Sequence, residues 1–90
     1  MELRAGDNVV WNAVPGELVL LNADTGGYYA LDDVGADVWR LLMDLGAVGA
    51  VKERMAAMYD ADAATIAADV DRLVAELRES RLLVEATGGG

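Results

Sequence analysis

Ninety residues with a formal charge of −9, no cysteine and no histidine describe a small acidic domain that must be stabilised by packing. The charge argues against a nucleic-acid backbone as partner, because such binding needs clustered Lys and Arg. The missing Cys and His remove the thiol nucleophile, the commonest general base and most transition-metal sites. No signal peptide follows Met1-Glu2, and no apolar run approaches the ~20 residues of a membrane helix, so a cytoplasmic, non-membrane protein is expected. The acidity either keeps an apolar chain in solution or steers a basic partner towards it.

Taken in order, residues 1–7 show no clear period and are expected to form a loose lead-in. Asn8 to Val14 reads as a first strand, Glu17 to Asn22 as a second and Gly27 to Leu31 as a third. Pro15-Gly16 fits a type II turn, since proline presets φ and glycine accepts positive φ at the next position. Ala23-Asp24-Thr25-Gly26 supplies the second turn, so the strands form an antiparallel meander. Alternate residues of each strand are apolar on both faces, as with Leu18 and Leu20 against Val19 and Leu21. Helices should cover one face. The other is either covered by the chain's own segments or left for a partner.

Asp32 and Asp33 stand where a helix N-cap belongs. The first helix is expected from about Asp33 to Leu45, ending at Gly46, with Val34, Val38, Leu41 and Leu45 on its apolar stripe and Trp39 and Leu42 beside it. Val48, Val51, Met55 and Met58 define a second helix running to about Tyr59, with a weak N-terminus near Gly46 and Gly49. Asp60-Ala61-Asp62 breaks and caps. The third helix spans about Ala63 to Ser80, with Ile66, Val70, Leu73 and Leu77 on its stripe and Val74 flanking. Leu82-Leu83-Val84 should pack back on the core, and Thr87-Gly88-Gly89-Gly90 should form a disordered tail after one domain covering 1–86. Trp11, Trp39, Tyr28, Tyr29 and Tyr59 are the bulky pieces available to the core, and Met55 and Met58 read as core. Since a strand alternates faces, one of Tyr28 and Tyr29 must reach solvent or a ligand. Strands first and helices after them indicate an α+β fold with the helices on one side of a three-stranded antiparallel sheet.

Little chemistry is on offer. The carboxylates at Asp69, Asp71, Glu76 and Glu79 fall on polar helix faces and read as solvated. Asp60-Ala61-Asp62 lacks the glycine and terminal glutamate of a calcium loop. Gly26-Gly27 precedes a strand and is no phosphate cradle, and Ser80 has no base to activate it. No catalytic residue, metal or cofactor is expected. A binding module is the reading that remains. An acidic carrier protein is opposed by the strand-rich start and the lack of a suitable serine at a helix start.

The run Asp24-Thr25-Gly26-Gly27-Tyr28-Tyr29-Ala30-Leu31-Asp32-Asp33-Val34-Gly35, followed by Val38-Trp39-Arg40-Leu41-Leu42, resembles the PqqD family. Tyr59-Asp60-Ala61-Asp62, Val74-Ala75-Glu76-Leu77 and Leu82-Leu83-Val84 match the later part of the family pattern. Within that family the chain is most similar to the stand-alone leader-recognition proteins of lasso-peptide pathways. The resemblance implies a winged-helix-like fold of three strands followed by three helices. It implies binding of the leader segment of a ribosomally made precursor peptide, added as an antiparallel strand beside the third strand and wedged against the third helix. Leader Tyr and Pro residues are the implied anchors, and a leader peptidase and a macrolactam cyclase are the implied enzyme partners. The residues expected to meet the leader are Gly27, Tyr28, Tyr29, Ala30, Leu31 and Asp32 from the strand, with Val70, Leu73, Val74 and Leu77 from the helix. The alternative is a winged-helix protein-interaction or nucleic-acid-binding module, whose element count is similar; charge opposes the nucleic-acid version.

Overall fold

A computed structural model describes residues 1–86. Its elements are β1 (Leu3–Ala5), β2 (Val9–Val14), β3 (Glu17–Asn22), β4 (Tyr28–Leu31), α1 (Asp33–Leu45), α2 (Val48–Tyr59), α3 (Ala63–Glu79) and β5 (Leu83–Glu85). Three strands form an antiparallel sheet in the order β2-β3-β4, and three helices follow them, which is the α+β, winged-helix-like arrangement. The tail expected at 87–90 lies outside the described residues.

The meander is built by its turns. Gly16 has φ +83°, which a side chain would resist, and sits at the turn position that calls for it. The register that follows pairs Trp11 with Leu20 and Leu20 with Tyr29. Leu18, Leu20 and Asn22 of β3 therefore face the helices and are buried, while Leu21 faces away and is exposed.

One expectation fails at the N-terminus. Residues 1–7 are no loose lead-in: Leu3–Ala5 pairs antiparallel with Leu83–Glu85 in a separate two-stranded ladder, and Leu3 is buried. Three residues are too few to show a period, and their partner lies at the far end of the chain. The apolar end at Leu82-Leu83-Val84 does pack on the core, with Leu82 and Leu83 fully buried.

The helices start and stop where the caps place them. The Asp32 carboxylate accepts from Gly35 N–H at 2.9 Å, and Gly46, at φ +76°, closes α1 by donating to the Leu42 carbonyl. α2 has no side-chain cap, but Val48 N–H donates to the Met1 carbonyl at 2.9 Å, so the start of the chain satisfies what a Ser or Thr would have. The Asp62 carboxylate accepts from Thr65 N–H and opens α3.

The buried stripe of α1 is rotated from the expected one. Its centre is Gly35, Val38, Trp39 and Leu42, at spacings of three and four, with Val34 exposed and Leu41 and Leu45 only half-buried. Gly35 fits because its α-carbon lies against Leu31: an added Cβ would come within 3.1 Å of the Leu31 Cδ2. Trp39 is fully buried, and Trp11 packs edge-on against it with ring centroids 5.3 Å apart. Of the remaining bulky residues, Tyr29 is half-buried against the core. Trp11, Tyr28 and Tyr59 are exposed, and so is Met58, whereas Met55 is buried. Leucine and valine supply the volume instead.

Candidate functional site

Because β4 stands at the end of the strand order, one of its edges faces no other strand of its sheet. The hydrogen bonds at its foot show which groups that edge carries. Asn22 N–H donates to the Gly27 carbonyl at 2.8 Å, in register with the β3–β4 ladder. Antiparallel bonding alternates, so the main-chain groups of Tyr29 and Leu31 turn to β3, and those of Tyr28 and Ala30 turn outward. Gly27 does not belong to the open row: its N–H donates to Thr25 Oγ1 at 3.0 Å, and its carbonyl is held by Asn22.

A groove of about 470 Å³ lies between this edge and α3. Its floor and walls come from Leu31 of β4, Val34, Gly35 and Val38 of α1, Met55 of α2, and Ile66, Val70 and Leu73 of α3. Tyr29, Ala30 and Asp32 line it from the strand side, and Asp69, Arg72 and Glu76 from the helix side. The apolar base offers burial. The rim holds three carboxylates, Asp32, Asp69 and Glu76, against the single guanidinium of Arg72, which pairs with Asp69 at 3.2 Å. Such a groove suits a peptide with apolar anchors and a basic or hydroxyl-bearing neighbour.

Tyr29 crosses from strand to helix, its hydroxyl donating to a Glu76 carboxylate oxygen. That bond favours the protonated phenol and raises the Tyr29 pKa above the ordinary tyrosine value; partial burial and the charge of Glu76 push the same way, and Arg72 opposes them. A comparable bond from the Tyr59 hydroxyl to an Asp37 carboxylate oxygen raises the Tyr59 pKa, and the charges of Asp33 and Asp32 add to it.

The ten residues expected from the sequence separate into groups. Tyr29, Ala30, Leu31, Asp32, Val70 and Leu73 line the groove. Tyr28 offers main chain to the open edge, but its side chain points to the opposite face of the sheet. Gly27, Val74 and Leu77 do not line the groove, and Val74 and Leu77 are buried in the core. The sequence reading missed Asp69, Arg72 and Glu76. It treated Asp69 and Glu76 as part of a solvated face, although they fall three residues from Ile66 and Leu73 respectively and so share their side of the helix. Val34 and Val38 were read only as helix stripe.

Residues 17–83 match the family model of coenzyme PQQ synthesis protein D. Among curated proteins, none matches the sequence significantly. Two solved structures share the fold. One is of TbiB1 in complex with the TbiA(beta) leader peptide, 30% identical, with a TM-score of 0.84, covering 93% of this chain and 98% of that one. The other is of a lasso peptide synthetase B1 complexed with the leader peptide, 23% identical, with a TM-score of 0.83 and coverage of 93% and 99%. The matched span holds β3, β4, the helices and the groove between them, and by that match the chain belongs to the PqqD family.

Proposed function

We propose that residues 1–86 are one leader-recognition domain. It binds the leader of a ribosomally synthesised precursor, of the lasso-peptide class, and presents it in the cytoplasm to a leader peptidase and a macrolactam cyclase. It is a binding protein and performs no chemistry of its own. The observation that carries this reading is the open edge of β4 beside an apolar groove, in a chain 30% identical to a protein solved with a leader peptide.

The mechanism is strand addition. Tyr28 and Ala30 exchange main-chain hydrogen bonds with the leader, each contributing about 0.5–1.5 kcal/mol net. Those bonds do not discriminate among sequences, so selectivity comes from the side chains that enter the groove. A buried apolar anchor contributes roughly 1.5–3 kcal/mol, and ordering a disordered leader costs about 2–5 kcal/mol. Two anchors and a few main-chain bonds thus leave a net affinity in roughly the micromolar to nanomolar range.

Calorimetric titration with synthetic leaders of lasso precursors tests the proposal. Saturable binding is expected, weakened when the leader's apolar anchors are changed to Ser. Absence of saturable binding by the leader encoded beside this protein would remove the proposal.

A further inference from the structure

Where the groove passes the N-terminal end of α1, it opens onto an apolar ledge. Val34 lines the groove and is also 42% exposed. Met55 lines it from α2. Met58 and Tyr59 follow three and four residues later, on the same side of that helix, and are 52% and 38% exposed. The Tyr59 hydroxyl donates to Asp37, one turn after Val34, so the ledge is one surface spanning both helices. Its border is acidic. Asp33 and Asp32 lie near enough for their charge to act on the same hydroxyl, and Asp60 follows Tyr59 at the end of α2. The ion pairs among the described residues use none of these four carboxylates.

We infer that this ledge seats the segment of the leader immediately N-terminal to the pairing strand, and that it selects Lys or Arg there. This rests on the leader-binding reading and extends it beyond the groove. The direction follows from the ladder. Antiparallel pairing is the more stable for each residue, and it is the kind found in every ladder among the described residues. β4 runs from Tyr28 to Leu31 and on into α1, so an antiparallel partner has its upstream end beside Asp32 and Asp33. Paired strands advance residue for residue, so the leader reaches α1 about three residues before the one facing Ala30. The side chains it carries there follow from the surface. A Lys or Arg stem lies along Val34 and Met58 while its charged head reaches the carboxylates at the border. Asp or Glu would meet like charge, and a wholly apolar segment would cover the ledge but desolvate carboxylates it cannot pair. A second copy of this chain would set one acidic border against another.

The test titrates the full chain by calorimetry with the leader encoded beside it and with versions shortened stepwise from the leader's N-terminus. Removing the Lys- or Arg-bearing segment while the apolar anchors remain should lower affinity at least tenfold. Asp37→Asn combined with Asp60→Asn removes two charges and keeps their shape, and asparagine tolerates the left-handed conformation at position 60. That variant should bind the full leader about fivefold more weakly, a loss that shrinks in about 0.5 M salt, and the shortened leader within twofold of the parent. Met58→Gln, made separately, should weaken the full leader about threefold and spare the shortened one. Equal affinity for full and shortened leaders would overturn the inference and leave the leader-binding reading standing. So would variants that weaken both leaders alike, or a cognate leader with no Lys or Arg in that segment. A loss confined to truncation from the other end would show parallel addition and overturn it as well. Absence of saturable binding by any of these peptides would remove the leader-binding reading and this inference together.

Discussion

The sheet has two terminal strands, and they are not alike. β2 is exposed at every position after Val9, while β4 is half-buried or buried at all but Tyr28. Each presents a row of outward main-chain groups. Ala23 N–H donates to the Asn8 carbonyl at 2.9 Å, in register with the β2–β3 ladder, which turns Val9, Trp11 and Ala13 outward on that side. The β4 row differs in having a helix wall and an apolar floor beside it. Main-chain bonds exchanged with water give little net energy, so an edge alone is a weak and unselective site. Adding a groove within side-chain reach supplies both affinity and choice. On the leader-binding proposal, this contrast is the reason the shorter strand is the binding edge.

The largest effect should separate the two edges directly. Ala30→Pro removes an outward donor from β4 and fixes φ, and leader affinity should fall about a hundredfold, roughly 3 kcal/mol. Ala13→Pro makes the equivalent change on β2 and should leave leader affinity unaltered. Calorimetry on both variants decides it: equal losses would mean that β4 is not the preferred edge.

A smaller effect sharpens the distinction between wall and core. Leu73, half-buried in the groove, should lose about tenfold in leader affinity as Leu73→Ala, since part of a burial worth roughly 1.5–3 kcal/mol is removed. Leu77→Ala, one turn further on and fully buried, should instead lower unfolding free energy by about 2–5 kcal/mol and leave the affinity of the folded protein intact. Urea unfolding paired with leader titration reads both quantities. A reversal of the two outcomes would relocate the groove wall.

The smallest effect concerns the bridge from β4 to α3. Because the Tyr29 hydroxyl gives its proton to a bond with Glu76, its folded pKa lies above the unfolded value of about 10. The bond's contribution to stability is therefore complete below pH 10 and disappears as pH rises through the raised pKa. Glu76→Gln should return the Tyr29 ionisation towards the ordinary range, seen as an earlier rise in tyrosinate absorbance. An unshifted titration curve would show that the bridge does not form in solution.

Much of the architecture was legible because local signals agreed. Pro15-Gly16 and Gly26 frame the strands, while Asp32, Gly46 and Asp62 frame the helices, and each boundary fell within a residue or so of its expected place. The ladder of β1 with β5 was not legible: no local pattern in Leu3–Ala5 points to Leu83–Glu85. The α1 stripe was misjudged by one step because Gly35 and Ala36 are small and carry little hydropathy, yet both are buried against neighbouring chain. At the site, the resemblance pointed to the strand and the helix. It did not separate Leu73 from Leu77, because periodicity alone cannot tell a groove wall from a core on adjacent turns. Residue type alone points Asp69 and Glu76 to solvent, whereas helix geometry puts them beside Ile66 and Leu73.

Asn22 is the one buried polar side chain among the described residues. Its amide oxygen accepts from Asp24 and Thr25 N–H in the turn below β4, and its nitrogen donates to the Arg81 carbonyl just past the end of α3. One amide thus clamps the foot of the pairing strand to the exit of the helix that walls it. For a peptide joining that strand, the interval between backbone register and pocket is preset before arrival. If this edge takes the leader as proposed above, the spacing of the anchors is tested against that fixed interval, alongside their apolar character.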